Sequence, residues 1–246
     1  MHDSPARPMV AEAIGTFTLC FIGILAITVG RLTDAPAGTV SLASIALAHG
    51  LAIAVMVAAL GAVSGGHFNP AVTFGFVVTG RMTPLRGLLY WVAQLVGAFV
   101  AGAILVGIFG AKTVADGTPA LTEGLPMGPA ILLEAVVTFF LVLVVFGTAV
   151  DERAPKSVYP FAIGLTVALD IMAVGPLTGG AMNPARAFGP ALASGAWANQ
   201  LVYWIGPLLG GAAAALLQHY FLLVRAPSVA TAEHGGPAPE EQRRAH

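Results

Sequence analysis

An all-α membrane protein, with six transmembrane helices and two half-spanning re-entrant helices in an inverted repeat, is the fold class this sequence predicts. Three observations carry that expectation. The 246 residues are 57% apolar and only 9% charged, with a mean hydropathy of +0.85. Soluble chains average about 25% charged residues, so too few are present here to build a water-facing surface. Six long apolar segments stand out, near 9–30, 40–62, 84–110, 129–150, 158–174 and 200–223. Finally, residues 64–75 (SGGHFNPAVTFG) are rewritten at 178–189 as TGGAMNPARAFG, at an offset of 114, the separation of Asn183 from Asn69.

Most of the six segments approach the ~20 residues needed to cross a ~30 Å hydrocarbon core; the fifth is the shortest. Between them lie two shorter apolar stretches, 69–79 and 183–194. At 1.5 Å per residue these reach only ~15–18 Å, about half the bilayer. Each opens on the same grammar of small residues, then Asn, then Pro, then an apolar run. Asn is a favoured N-cap, because its side-chain oxygen accepts from a free amide of the first turn. Proline suits the first helical position, where its missing N–H is no loss. Asn69-Pro70 and Asn183-Pro184 therefore predict two helices that begin abruptly inside the membrane.

The two halves correspond throughout. AEAIGTFTL (11–19) matches LEAVVTFFL (133–141) at an offset of 122, and Tyr90-Trp91 matches Tyr203-Trp204 at 113. The fall from 122 to 114 makes the loop near 31–39 longer than its counterpart. Three spans per half is an odd number, so the second half enters from the opposite side. An inverted repeat of this kind places its functional site at the midplane, where discontinuous helices meet. Arg7, Arg81, Arg86, Arg153, Lys156 and Arg225 flank one side, joined by Arg243 and Arg244, against Arg31 and Lys112 on the other. Positive-inside counting then puts both termini in the cytoplasm.

If the two half-helices start at the midplane and run apart, their N-termini face each other, each carrying roughly +0.5 charge. A cation there meets a repulsive field, whereas a neutral dipole turns its oxygen to it. With the Asn oxygens engaged in capping, the Nδ2–H groups of Asn69 and Asn183 face the path as donors. Gly65, Gly66, His67 and Phe68, with Gly179, Gly180, Ala181 and Met182, are expected to line it with carbonyl acceptors. Exposed backbone at that depth is tolerated only beside protein or a wet cavity. Central donors, flanking acceptors and an excluded charge describe a pore for small neutral polar solutes.

Arg186 lies one turn beyond Asn183, ~4.5 Å from the midplane, where a charge is expensive and by default functional. His49 on the second span and Ile171 on the fifth reach similar depth, beside Gly180. A lone His on an apolar helix more often reads as a hydrogen-bonded core residue. Glu12 and Glu134 occupy equivalent places in the halves and read as braces for the re-entrant loops, because buried carboxylates need donors; the other reading makes them proton carriers. Asp170, next to Ile171, is turned off the path by one helical step and left open in role. His67 stands on the first re-entrant loop, and His219 near the last span's end reads as a cap or surface residue.

The paired Asn-Pro-Ala motifs, with Arg after the second, make the chain resemble the aquaporin (major intrinsic protein) family from the first span through Leu223. GPLTGGAMNPARAFGPAL (175–192) and YWIGPLLGG (203–211) are most similar to its plant tonoplast branch. The resemblance implies a water channel with a filter of His49, Ile171, Gly180 and Arg186. It also implies loop braces at Glu12 and Glu134, a vestibule role for His67, and a tetramer with one pore per subunit. A filter of this composition resembles that of relatives conducting water and, in some members, ammonia. Those ammonia-conducting relatives carry a further His in the loop before the fourth span; residues 111–128 here contain none. Glycerol-conducting relatives carry Asp after the Arg, where Ala187 stands here.

The domain expectation is an N-terminal tail over 1–8 and a channel domain over 9–224, with repeats at about 9–110 and 129–224. A polar, disordered tail over 225–246 completes it. A net charge of −1 gives no reason to expect a nucleic-acid partner. Cys20 is the only cysteine, so an intrachain disulfide is excluded. The first residues lack the layout of a cleavable signal. Metal-ligand spacing, a nucleophile elbow and a phosphate loop are absent from the sequence, so neither an enzyme nor a cofactor is expected. The partners expected are water, small neutral solutes and lipid. The competing functions are a proton-coupled transporter using Asp170, Glu12 or Glu134, a glycerol or urea facilitator, and a membrane scaffold.

Overall fold

A computed structural model of the protein describes residues 6–36 and 39–223. The expected N-terminal tail is thus only partly covered, and the tail expected over 225–246, with Arg225, Arg243 and Arg244, lies outside the described residues.

The helices are α1 (Ala6–Leu32), α2 (Leu42–Ser64), α3 (Pro70–Val78), α4 (Pro84–Phe109), α5 (Ala111–Asp116), α6 (Met127–Val145), α7 (Tyr159–Thr178), α8 (Pro184–Ser194) and α9 (Val202–Leu217). α6 and α9 each end in a π turn, over Phe146–Val150 and Gln218–Leu222. Six of these are long and apolar enough to cross a membrane, while α3 and α8 have 9 and 11 residues. The protein is an integral, multi-pass membrane protein. Its outward faces are apolar: Leu85, Leu88, Leu165 and Leu169 are each more than half exposed, as lipid-facing side chains must be.

The halves interlock. α1 packs on α4 and α6 on α9, while α2 meets α7 across the pseudo-twofold. Each half-helix crosses over: α3 packs on α9 and α8 on α4. The α2–α7 contact is intimate because both helices present glycine. A Cβ on Gly50 would collide with the Gly164 carbonyl, and one on Gly164 with that of Gly50. With backbone this close, dispersion and excluded lipid replace the hydrophobic effect as the packing force.

Two differences from the sequence expectation have local causes. α7 runs to Thr178, past the Gly175-Pro176 pair at which the apolar reading stops. Proline deletes one helical hydrogen bond, but this last turn is fastened from outside: Thr122 N–H donates to the Leu177 carbonyl and Tyr203 Oη to that of Thr178. The loop before α6 also contains the short helix α5. Asp116 at its end is paired with Arg31 at 2.6 Å and Lys112 at 3.2 Å. On the opposite side, Arg153 donates to Asp151 and holds its carboxyl down to about 2.

Candidate functional site

The two Asn-Pro turns are built alike. Asn69 is extended (φ −157°), and its Oδ1 accepts from Ala71 N–H at 2.8 Å, with Pro70 at the first helical position. Asn183 (φ −146°) accepts from Ala185 N–H at 3.0 Å and Arg186 N–H at 3.3 Å, ahead of Pro184. The chain reaches each cap through left-handed backbone: Gly65, Gly66 and Phe68 in one copy, Gly179, Gly180 and Met182 in the other. Glycine adopts that region freely. Phe68 (φ 47°) and Met182 (φ 51°) do not, so something must hold them there.

What holds them is a carboxylate behind each loop. Glu12 accepts from the amides of His67 (3.0 Å) and Phe68 (2.6 Å), from Ser64 Oγ (2.6 Å) and from Gln94 Nε2 (2.7 Å). Glu134 accepts from the amides of Ala181 (3.0 Å) and Met182 (2.8 Å) and from Thr178 Oγ1 (2.6 Å). Both carboxylates are fully buried. Charge-assisted bonds to otherwise orphaned amides are the arrangement in which a buried carboxylate is tolerated.

The loops then tie to each other. Asn69 Nδ2 donates to the Met182 carbonyl and Asn183 Nδ2 to the Phe68 carbonyl, both at 2.9 Å. The half-helix N-termini therefore meet head to head. Each amide nitrogen spends one hydrogen on this tie, leaving one rather than two for anything passing. A narrow cavity runs past the junction with about 40 Å³ open to the centres of water-sized molecules.

Its lining includes Asn69, Asn183, His49, Ile171, Arg186, Gly66, His67 and the run Gly179–Met182. Gly65 and Phe68, expected on the path, stand back from it. Gly65 caps α2, donating to the Gly61 carbonyl, and the Phe68 ring lies against Gly15 of α1. Among the described residues, the carbonyls of Gly66, His67, Gly179, Gly180 and Ala181 receive no protein donor, which leaves them as acceptors along the approaches. Apolar walls come from Ile53, Val72, Leu141, Val145, Ile163 and Val167.

At one end the cavity is charged. Arg186 is 4% exposed; its Nη2 donates to the Gly117 carbonyl at 2.9 Å, and its Nε lies 3.4 Å from His49 Nε2. His49 Nδ1 is 2.8 Å from the Ile45 carbonyl, which can only accept. So Nδ1 carries the proton, and Nε2 offers its lone pair to the guanidinium. Arg186 Nη1 has no protein partner and Arg186 borders the cavity. Toward the other end, Gln94 Nε2 and His67 Nδ1 both lie 3.0 Å from Thr73 Oγ1.

A model of the family described as major intrinsic protein matches residues 2–218. The chain belongs to that family. It is 43% identical over 215 residues to Aquaporin TIP2-1 of Arabidopsis thaliana, covering 86% of this chain and 85% of the relative. To Aquaporin TIP4-4 of Zea mays it is 46% identical over 217 residues, 86% and 84% of the two chains. The aquaglyceroporin structure from Plasmodium falciparum superposes with a TM-score of 0.73 at 24% identity, covering 89% of this chain and 97% of that one, which shows the aquaporin fold. Major intrinsic proteins are channels rather than enzymes.

Some family-site geometry had no sequence signal. Gly117 holds Arg186 by its carbonyl alone, from a loop without a motif. Gly23 of α1 leaves the gap into which His49 reaches; a Cβ there would strike the imidazole. Gln94, mid-way along an apolar helix, completes the Glu12 brace. His219 sits in the final π turn with its ring edge-on to Tyr220, 4.8 Å away and remote from the cavity.

Proposed function

We propose that the chain is a passive water channel that excludes protons and ions. The observation that carries this reading is the reciprocal tie of Asn69 and Asn183, which brings two half-helix N-termini together beside a narrow cavity. A water there accepts from the remaining Asn N–H groups and turns its own protons outward, toward carbonyls on either approach. A file broken in polarity at its centre cannot relay a proton, and the two dipole ends with Arg186 repel cations. Relatives named as aquaporins support the same reading.

Asn69 and Asn183 act as central donors, and His49, Ile171, Gly180 and Arg186 as the filter. The Ile171 wall and the neutral His49 suit a small neutral solute such as ammonia as a secondary permeant. Glu12 and Glu134 serve as braces, and Pro70 and Pro184 as helix starts. Both termini face the cytoplasm, because basic residues gather on that side. Assembly as a homotetramer follows from family membership.

The test is stopped-flow light scattering on proteoliposomes under an osmotic step, with ammonia, urea and glycerol run in parallel. Fast shrinkage with a low activation energy and no dependence on a pH gradient is expected. Flux that saturates and requires protons would instead favour a coupled transporter.

A further inference from the structure

His67, toward the end of the cavity opposite Arg186, closes a chain of hydrogen bonds whose direction is fixed step by step. The chain starts at Glu12, which already accepts from Ser64 Oγ and from the amides of His67 and Phe68. An ionised carboxylate only accepts, so Gln94 turns its amide nitrogen to it, 2.7 Å from Oε2. The second hydrogen of that nitrogen points at Thr73 Oγ1, 3.0 Å away. Gln94 Oε1 is left buried without a partner. The reverse orientation would set that oxygen against the carboxylate and orphan both amide hydrogens.

Thr73 is fully buried, so its hydroxyl needs an acceptor for its own proton. Thr16, Thr28, Thr79 and Thr138 give theirs to the carbonyl four residues back in the helix. Thr73 makes no such bond; the one acceptor it contacts among the described residues is His67 Nδ1, at 3.0 Å. A neutral imidazole that accepts at Nδ1 carries its proton on Nε2. The ring is held in place by Phe76 and Tyr90, at 4.3 and 5.3 Å between centroids. Its Nε2 bonds to no described residue, and His67 borders the cavity.

The second half lacks every member of this chain at once. By the offset of 114, Ala181 stands for His67 and Ala187 for Thr73; by that of 113, Pro207 stands for Gln94. Three polar side chains that bond in sequence in one copy, and are all missing from the other, form a unit. We propose that Gln94 and Thr73 are positioning residues that keep the His67 proton on Nε2, so that His67 meets the path as a donor only. His49 is the opposite tautomer, with its proton on Nδ1 toward Ile45 and its Nε2 toward Arg186. Both ends of the cavity then offer hydrogens, from Arg186 Nη1 at one and His67 Nε2 at the other, and a water meets each with its oxygen. That consequence rests on the channel reading; the tautomer itself does not, so the two fail separately.

Nitrogen NMR of the whole protein in lipid, with isotope-labelled histidine, reads the tautomer without any flux. At about pH 8, well above the ~6.5 of a free imidazole, His67 should show a protonated Nε2 and a hydrogen-bonded, unprotonated Nδ1. Loss of signals in His67→Gln assigns them. Thr73→Val, which touches none of the Glu12 bonds, should move the Nδ1 signal to that of an unbonded acceptor and leave the His49 signals in place; Thr73→Ser should keep the original signal. Gln94→Leu frees Thr73 to accept, and should bring in a second His67 population protonated on Nδ1. A protonated Nδ1 in the unsubstituted protein would overturn the proposal. So would a His67 spectrum unchanged in Thr73→Val, or a single tautomer retained in Gln94→Leu.

Discussion

The first and second re-entrant loops share one backbone path and one capping scheme, yet differ in what the scheme supports. The first is fastened by Glu12 with four donors, including Gln94, and at the position matching Arg186 it carries Val72. The second is fastened by Glu134 with three donors and carries Arg186, bound to Gly117 and facing His49. Duplicating the scaffold gave two facing helix ends; specialising one copy gave a narrow, charged mouth. The lesson is that one repeated scaffold holds both loops in the same path, while unrepeated side chains such as Gln94 and Arg186 make their surroundings differ.

Removing a brace should have the largest effect. Glu12→Leu orphans four buried donors and Glu134→Leu three, at about 1–3 kcal/mol each, against a total stability of roughly 5–15 kcal/mol. Glu12→Leu should therefore yield no folded protein, with Glu134→Leu less damaged, as read from monodisperse yield in detergent. Equal damage would remove the distinction between the loops.

Making the second loop like the first at its charged position comes next. Arg186→Val should keep water flux but raise proton leak about tenfold or more, since a fixed charge in a weakly screened site is worth several kcal/mol. A pH-sensitive dye inside proteoliposomes reads this directly. Making the first loop like the second is milder. Gln94→Leu removes its bond to the Glu12 carboxylate, about 1.5–3 kcal/mol, along with a weaker one to Thr73 Oγ1, so the midpoint of thermal unfolding should fall by roughly 3–12 °C. An unchanged midpoint would mean that the fourth donor is redundant.

Smaller still is the filter's selectivity. His49→Phe should lower ammonia flux more than water flux, and equal losses would deny His49 a part in sorting by size and polarity. The smallest effect belongs outside the membrane. Asp151, held down to about 2 by Arg153, adds stability above the ~4 of a free Asp, and that contribution fades as pH falls toward 2. The pair is solvent-exposed and screened by salt, so Asp151→Asn should lower the unfolding midpoint near neutrality only slightly, and less than any change above.

Most of the architecture was legible in the sequence, because it rests on long-period signals: apolar segments of spanning length, two Asn-Pro starts at one spacing, and a repeated Glu. The contacts that finish the site were not. The hold of Gly117 on Arg186 uses a backbone carbonyl, which any residue would supply, so sequence carries no trace of it. The reach of His49 past Gly23 depends on a void, and the tie of each Asn to the opposite loop depends on how the halves dock. The true end of α7 was hidden because Gly-Pro reads as a stop, while the bonds that overrule it come from Thr122 and Tyr203, far along the chain.

The central claim, that two opposed helix ends at Asn69 and Asn183 pass water while stopping protons, is tested most directly by one paired measurement. Osmotic water permeability and proton flux are recorded on the same proteoliposomes under combined osmotic and pH gradients. Fast water movement with proton leak no greater than in protein-free liposomes is the predicted result. A proton flux that rises in step with the water flux would contradict it.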